Sequence, residues 1–283
     1  MKIQEIIDKL IAFHPEIGNP HTCDTVKAGD SNQDCTGIVV TCFASIEVIR
    51  EAIRRGANFI ICHEPVFYNH EDETQWLAGD PVYEAKRQLL EEHGIVIWRD
   101  HDHIHGNVAA GSADGIFYGI MCELGWKEYV VGDTQKPLMY EIPETDVKSL
   151  AAELMEKLNL TGIRVVGDQD ATVRRVFFCE HVQASRGWKN DGHVPDNEAM
   201  KRIRNEGADV MIPFEIVDWT MSAYVRDACY AGYPKAILEM GHFNVEELGM
   251  KCMARWLPQV IGTELPVSYV QSGDSFSYLL RQR

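Results

Sequence analysis

The chain has 283 residues, 45% of them apolar and 25% charged, with a formal net charge of −16 and a pI near 5.1. That is enough apolar chain for one large domain or two smaller ones without staples. The acidic balance argues against nucleic acid and anionic membrane as partners, because both need clustered Lys and Arg.

The N-terminal stretch MKIQEIIDKLIAFHP sets Ile3, Ile6, Ile7, Leu10 and Ile11 at helical spacing and lacks the continuous apolar run of a signal peptide. No window approaches the roughly 20 apolar residues of a membrane span. TGIVVTCF (36–43) is a short β-branched run, followed by a helical pattern, SIEVIREAIRRGA, with Ser45 as N-cap and Gly56 as stop. NFIICHEP is a second buried-strand pattern, so the order strand, helix, strand predicts a βαβ unit with a parallel sheet. A further cycle follows in the helix DPVYEAKRQLLEEHG and the strand IVIWRD. After a junction near 130–144 the pattern continues with helix SLAAELMEKLNL, strand RRVFFCEH, helix NEAMKRIRNEGA, strand DVMIPFEI, helix WTMSAYVRDACYAGY, strand KAILEMGH and a long helix VEELGMKCMARWLPQVI. The expectation is an α/β protein with an N-terminal lobe over 1–135 and a second over 136–283. The eight cysteines form no C-x-x-C pair and several lie in apolar runs, as expected of reduced core thiols in a cytoplasmic protein.

In α/β sheets, ligands sit outside the carboxyl ends of the strands. Three polar clusters fall there: His63 and Glu64 after FIIC; His101, His103 and His105 in RDHDHIHG after IVIW; and His242 after AILEMG, with Glu246 four residues on. One such cluster decides little. With 43 acidic residues in 283, an acidic side chain falls at any fixed offset from a histidine about 15% of the time. Their shared position at strand ends is more telling, and imidazole with carboxylate suits zinc, iron, manganese or nickel. A closed structural zinc site is not expected, since thiolates at ligand spacing are absent and the donors exceed four. RDHDHIHG is open to three readings, a metal site, a catalytic base cluster or a solvated loop. Phe67, Tyr68, Trp76, Trp98 and Trp188 are candidates to wall a pocket for a planar ring, although core packing is the commoner use of such residues. A P-loop is absent.

GANFIICHEPVFYNH, GHFNVEELGMKCMARWL, the H-x-x-x-H of RDHDHIHG, GIRVVGDQDATVRRVFFC and PVSYVQSGDSFSYL together resemble the Nif-three-like family (Ngg-one-interacting-factor-three-like), also labelled GTP cyclohydrolase I type 2 homologues. The resemblance runs through nearly the whole chain. It implies two similar α/β lobes with mixed sheets facing a central metal cleft, two divalent metal ions per chain, and a toroidal homohexamer. Carried over by position, the metal ligands are His63, Glu64, His105, His242 and Glu246, with His101 either a sixth ligand or a hydrogen-bonding partner of one. Two positions depart from the family pattern: Glu64 stands where a second histidine is usual, and His105 where an aspartate is. The exchange is reciprocal, so donor count and ligand charge are unchanged. It leaves Glu246 as the better bridging carboxylate, because an imidazole lacks the second oxygen that bridging uses. His103 and Asp102 are either orienting partners of the ligands or part of a solvent-facing loop. Glu180 and His181 end another strand, and Asp102, Glu180 and Glu215 are candidate general acids. His14, His21, His70, His93 and His193 are given no role.

A dinuclear centre of this kind implies a metal-dependent hydrolase of GTP-cyclohydrolase-like type acting on a small cyclic or nucleotide-like substrate. The alternatives are a metal-binding or metal-delivery protein without turnover and a regulatory protein-interaction scaffold.

Overall fold

The computed structural model describes residues 1–14, 16–106, 114–180, 203, 206–219, 221–262 and 264–279. In chain order the first stretch forms α1 (Ile3–Phe13), β1 (Val26–Ala28), β2 (Ile38–Thr41), α2 (Ile46–Arg54), β3 (Phe59–Cys62), α3 (Pro81–Glu92), β4 (Val96–Arg99), α4 (Asp102–Gly106) and α5 (Gly115–Leu124). The middle forms β5 (Val130–Val131), β6 (Met139–Asp146), α6 (Val147–Leu158), β7 (Arg164–Gly167), β8 (Thr172–Cys179), β9 (Val210–Pro213), α7 (Met221–Tyr230) and β10 (Ala236–Glu239). The chain closes with α8 (His242–Ile261) and β11 (Val267–Tyr269). Two units result: residues 1–123 with 246–273, and residues 124–245 with 274–283.

In the first unit the sheet order is β1-β4-β3-β2-β11, all parallel except β1, which runs antiparallel to β4. β2, β3 and β4 are buried along their whole length, as strands covered on both faces must be, so they appear in the sequence as unbroken apolar runs. The register pairs Thr41 with Cys62 and Cys62 with Arg99. The residues that follow, Cys42, His63 and Asp100, therefore leave the sheet side by side at its carboxyl edge. Local signals set the helices between these strands. Ser45 Oγ accepts the Val48 N–H at the start of α2, and Gly56 adopts φ +70° just past its end. Asp80 accepts the Val82 and Tyr83 N–H groups before Pro81 opens α3.

Helix α5 was not expected from the sequence. Its segment GIFYGIMCEL is nearly all apolar and shows no clear amphipathic period. Ile116, Phe117, Ile120, Met121 and Leu124 are all buried. α5 and α8 approach closely at two glycines, where a Cβ on Gly119 would lie 2.5 Å from the Gly249 Cα.

The second unit carries a six-stranded sheet, β5-β6-β8-β9-β10-β7, with β8, β9 and β10 parallel and the remaining pairings antiparallel. Met139, Phe177, Met211, Val225 and Ile237 form its apolar core. Asp146 caps α6 through the Ser149 N–H, and Asn159 ends it in the left-handed conformation.

The α/β class with mixed sheets is as expected, while the division of the chain differs from a single break at 135/136. The stretch read as a junction holds β5 and the start of β6. The chain also re-enters the first unit after Val245, because Val267–Tyr269 pairs in parallel with Ile38–Val40. A linear reading of elements cannot show such a return. The helix expected at 197–208 lies mostly outside the described residues, as do His181, Trp188 and His193.

Candidate metal centre

At the end of β3 the chain turns sharply, and the N–H groups of His63 and Glu64 both donate to the Cys42 carbonyl, at 3.0 and 2.8 Å. The His63 ring is fully buried, and its Nδ1 lies 3.1 Å from the Asp100 carbonyl. A carbonyl can only accept, so Nδ1 carries the proton and Nε2 is the atom with a lone pair in the neutral ring. Nε2 lies 3.3 Å from Glu246 Oε1 and makes no hydrogen bond. Burial by itself lowers the His63 pKa, but the Glu246 carboxylate and then Glu64 outweigh it and raise it to about 9. The surroundings of Nε2 thus call for positive charge. The Cys42 thiol, 3.8 Å from Glu246 Oε2, is pushed well up by burial and by the carboxylates of Glu246, Glu247 and Glu64. Without a cation beside it, it stays a thiol.

The imidazole-rich stretch after β4 is not a solvated loop. It folds into the single helical turn α4. His101 Nδ1 meets Asp102 Oδ1 at 2.9 Å, and His105 Nδ1 meets Asp114 Oδ2 at 3.0 Å. With His63 this makes three rings whose Nδ1–H is held by an acceptor and whose Nε2 is left to bind, the arrangement by which metal-ligating histidines are oriented. The rings of His63 and His101 stack with centroids 4.7 Å apart, and His105 stands edge-on to both at 5.1 Å. Burial, with the charges of His63 and His105 beyond it, lowers the His101 pKa to about 4, so that ring is neutral at physiological pH. Ligand atoms of His63, His101 and His105 lie within 4.8 Å of one another, and so do those of His63, Glu64 and Glu246. Two donor triads therefore meet at His63. Their mixture of imidazole and carboxylate fits first-row divalent ions.

His242 belongs to the second unit, where it opens α8. Its Nδ1 lies 3.0 Å from Glu215 Oε2, and its ring packs 5.1 Å from that of Phe214. Glu246 follows one helical turn later on the same helix and falls in the first unit.

Several neighbours carry no signal in the sequence. Asp114 not only holds His105 but also caps α5, its Oδ1 accepting the Ile116 and Phe117 N–H groups. An Asp just before an apolar helix is a recognisable N-cap, yet the helix itself was hidden. His70 sets its ring at 84° to His101 with centroids 5.5 Å apart, and His14 is buried 3.3 Å from Asp100 Oδ2. Glu180 is exposed and ion-paired with Lys136. Trp98 lies in the core, whereas Trp76 is exposed. Cys23 lies near His101 and Asp102, and burial, with help from Asp24 and Asp102, pushes its thiol up to about 12 in the metal-free protein.

A sequence profile of the family Duf34/NIF3 (NGG1p interacting factor 3) matches residues 1–273. A curated relative from Staphylococcus aureus, strain MRSA252, named GTP cyclohydrolase 1 type 2 homolog, is 22% identical over 244 residues. The match covers 86% of this chain and 60% of that relative's length. A crystal structure of a Staphylococcus aureus hypothetical protein superposes with a TM-score of 0.70 at 17% identity, covering 99% of both chains. A Bacillus cereus protein related to NIF3 superposes with the same TM-score, identity and coverage. Reduced HcgD from Methanocaldococcus jannaschii reaches 0.58 at 16% identity over 98% of each chain. With the profile spanning all but the last ten residues and these structures sharing its fold, the chain belongs to the DUF34/NIF3 family.

Proposed function

We propose that the chain holds two divalent metal ions of the zinc, iron, manganese or nickel class and hydrolyses a small cyclic or nucleotide-like molecule. The observation that carries this is the gathering of five imidazole and carboxylate donors at His63, with the Nδ1 of each imidazole among them tied to an acceptor. His63, Glu64, His101, His105 and Glu246 supply the donors, and His242 is carried as a further ligand by the family resemblance. His63 serves one ion only, since its Nδ1 is occupied, so a shared ligand has to be a carboxylate, for which Glu246 with its two oxygens is suited. Two ions so held supply Lewis-acid polarisation of a substrate oxygen and a lowered pKa for water. Asp102 is not the general acid. Although burial works the other way, hydrogen bonds from His101 and its neighbours hold its carboxyl down to about 2, and it is spent on orienting that ring. Glu180 is occupied by Lys136 at the surface.

The curated relative's name points to a cyclohydrolase-like reaction, so GTP, cyclic amides and lactones are the substrates to test. We place the chain in a reducing compartment, the cytoplasm, because all eight cysteines are free, and as a homohexamer by resemblance. Among the described residues no helix is long and apolar enough to cross a membrane. The deciding experiment is elemental mass spectrometry on protein purified without added metal, beside a His63→Ala/His105→Ala double variant. About two metals per chain, lost in the variant together with turnover, is the expected result. Metal lost without any turnover in the wild type selects the metal-carrier reading, and absence of metal even after reconstitution overturns the centre.

A further inference from the structure

α4 has five residues, too few to sustain a helix by its own hydrogen bonds, yet it carries His105 and follows directly on His101. Its start needs partners for N–H groups that have none within the helix. They come from a residue far away in sequence. Asp24 Oδ1 accepts the His101 N–H at 2.7 Å and the Asp102 N–H at 3.0 Å. Asp24 Oδ2 accepts the His103 N–H at 2.7 Å and the His103 ring Nδ1–H at 2.6 Å. Asp24 is itself 5% exposed and anchored: its N–H donates to Thr22 Oγ1, and the next residue, Thr25, accepts the Arg99 N–H where β1 pairs with β4. Cap and capped turn thus spring from two adjacent strands of one sheet.

Asp24, Asp100 and His103 also form a buried group with ligand-sized spacing. A carboxylate offers about four lone-pair sites, and the four N–H donors to Asp24, with the Cys23 thiol 3.6 Å from Oδ1 beside them, leave none over. Asp24 is therefore committed to the protein and is not an ion ligand.

The geometry points to Asp24 as the positioning residue of the imidazole turn, a cap supplied from outside the helix that holds His101 and His105 in their ligating arrangement. For its effect on metal this rests on the proposed centre, whereas the capping itself does not. The test uses the full chain with Asp24→Asn and Asp24→Ala. Asn keeps one acceptor oxygen and turns an NH2 toward the remaining donors, so it restores part of the cap, while Ala removes all of it.

Three readouts are taken: amide hydrogen exchange and the melting temperature of the metal-free protein, and zinc(II) affinity by chelator competition. The expected result is faster exchange of the His101, Asp102 and His103 amides, by about tenfold or more, with the amides of 60–62 in β3 unchanged. Zinc affinity falls about 10–100-fold in Asp24→Ala, with Asp24→Asn between it and the wild type. A lowered melting temperature with unchanged zinc affinity overturns the positioning role, since a merely structural residue gives that pattern. If the wild type itself takes up no zinc, the proposed centre fails, and amide exchange alone decides the cap: unchanged protection at 101–103 overturns it and lost protection upholds it.

Discussion

Asp114 does two things with one carboxylate, and replacing it by Asn forces a choice between them. In the native chain Oδ2 accepts from His105 Nδ1 at 3.0 Å, while Oδ1 accepts the Ile116 and Phe117 N–H groups at 3.0 and 3.1 Å. Asn has one acceptor oxygen. If that oxygen stays on the helix, the NH2 faces His105 Nδ1, which must then be the unprotonated nitrogen, so Nε2 takes the proton and cannot ligate. Losing an orienting partner of this kind costs about 10–100-fold in metal affinity, or about 1.4–2.7 kcal/mol. If the amide turns the other way, His105 is served and α5 loses its cap, at a cost of about 1–2 kcal/mol of stability. The assays are urea unfolding of the metal-free protein and zinc competition against a chelator of known affinity. One readout must fall in Asp114→Asn, and both in Asp114→Ala. A variant with wild-type stability and wild-type affinity refutes the assignment of this carboxylate to both tasks.

Three further outcomes are expected. His63→Ala removes the residue common to both donor triads and is expected to lower metal content more than His242→Ala, read as metal per chain by elemental analysis. Gly249→Ala puts a Cβ 2.6 Å from Ile116 Cδ1 and 2.7 Å from its Cα, so the α5 and α8 contact must open; a loss of about 1–3 kcal/mol by urea unfolding follows, and an unchanged midpoint contradicts the close approach. Lys86, 1% exposed, donates to the Val66 carbonyl at 2.7 Å and lies 4.7 Å from the Phe43 ring centroid. Burial lowers its pKa from 10.5 to about 8. Between those values the unfolded chain binds more protons than the folded one, so this group's contribution makes stability rise with pH there, by up to about 3 kcal/mol in all, with the full cost present below pH 8. Lys86→Met is expected to abolish that rise, measured as the wild-type minus variant stability from pH 7 to 10; a difference that stays flat refutes the shift.

The elements legible in the sequence are those whose burial is one-sided or complete along a short run. The face of α1 with Ile3, Ile6, Ile7 and Leu10, and the runs of β2, β3 and β4, declare themselves by period or by length. α5 stayed hidden because it is apolar nearly all round, and β6 because Pro143 and its charged residues resemble a linker. The residue types of the candidate centre were visible for a similar reason: His63, Glu64, His101 and His105 follow apolar strands directly, and in an α/β sheet such positions converge.

Chain order by itself determined the α/β class, the parallel order of the first three buried strands and the presence of imidazole and carboxylate at their ends. Only the tertiary structure decided that α8 and β11 return to the first unit, which sets Glu246 against His63. It alone decided which nitrogen of each ring is free to bind. That choice depends on acceptors such as the Asp100 carbonyl and Asp114, and the turn that presents the rings is capped by Asp24, as many as 79 positions away along the chain. Periodicity records which face of an element is buried; the direction of a hydrogen bond between distant segments is set by strand register and turn geometry, which no local pattern of residues encodes.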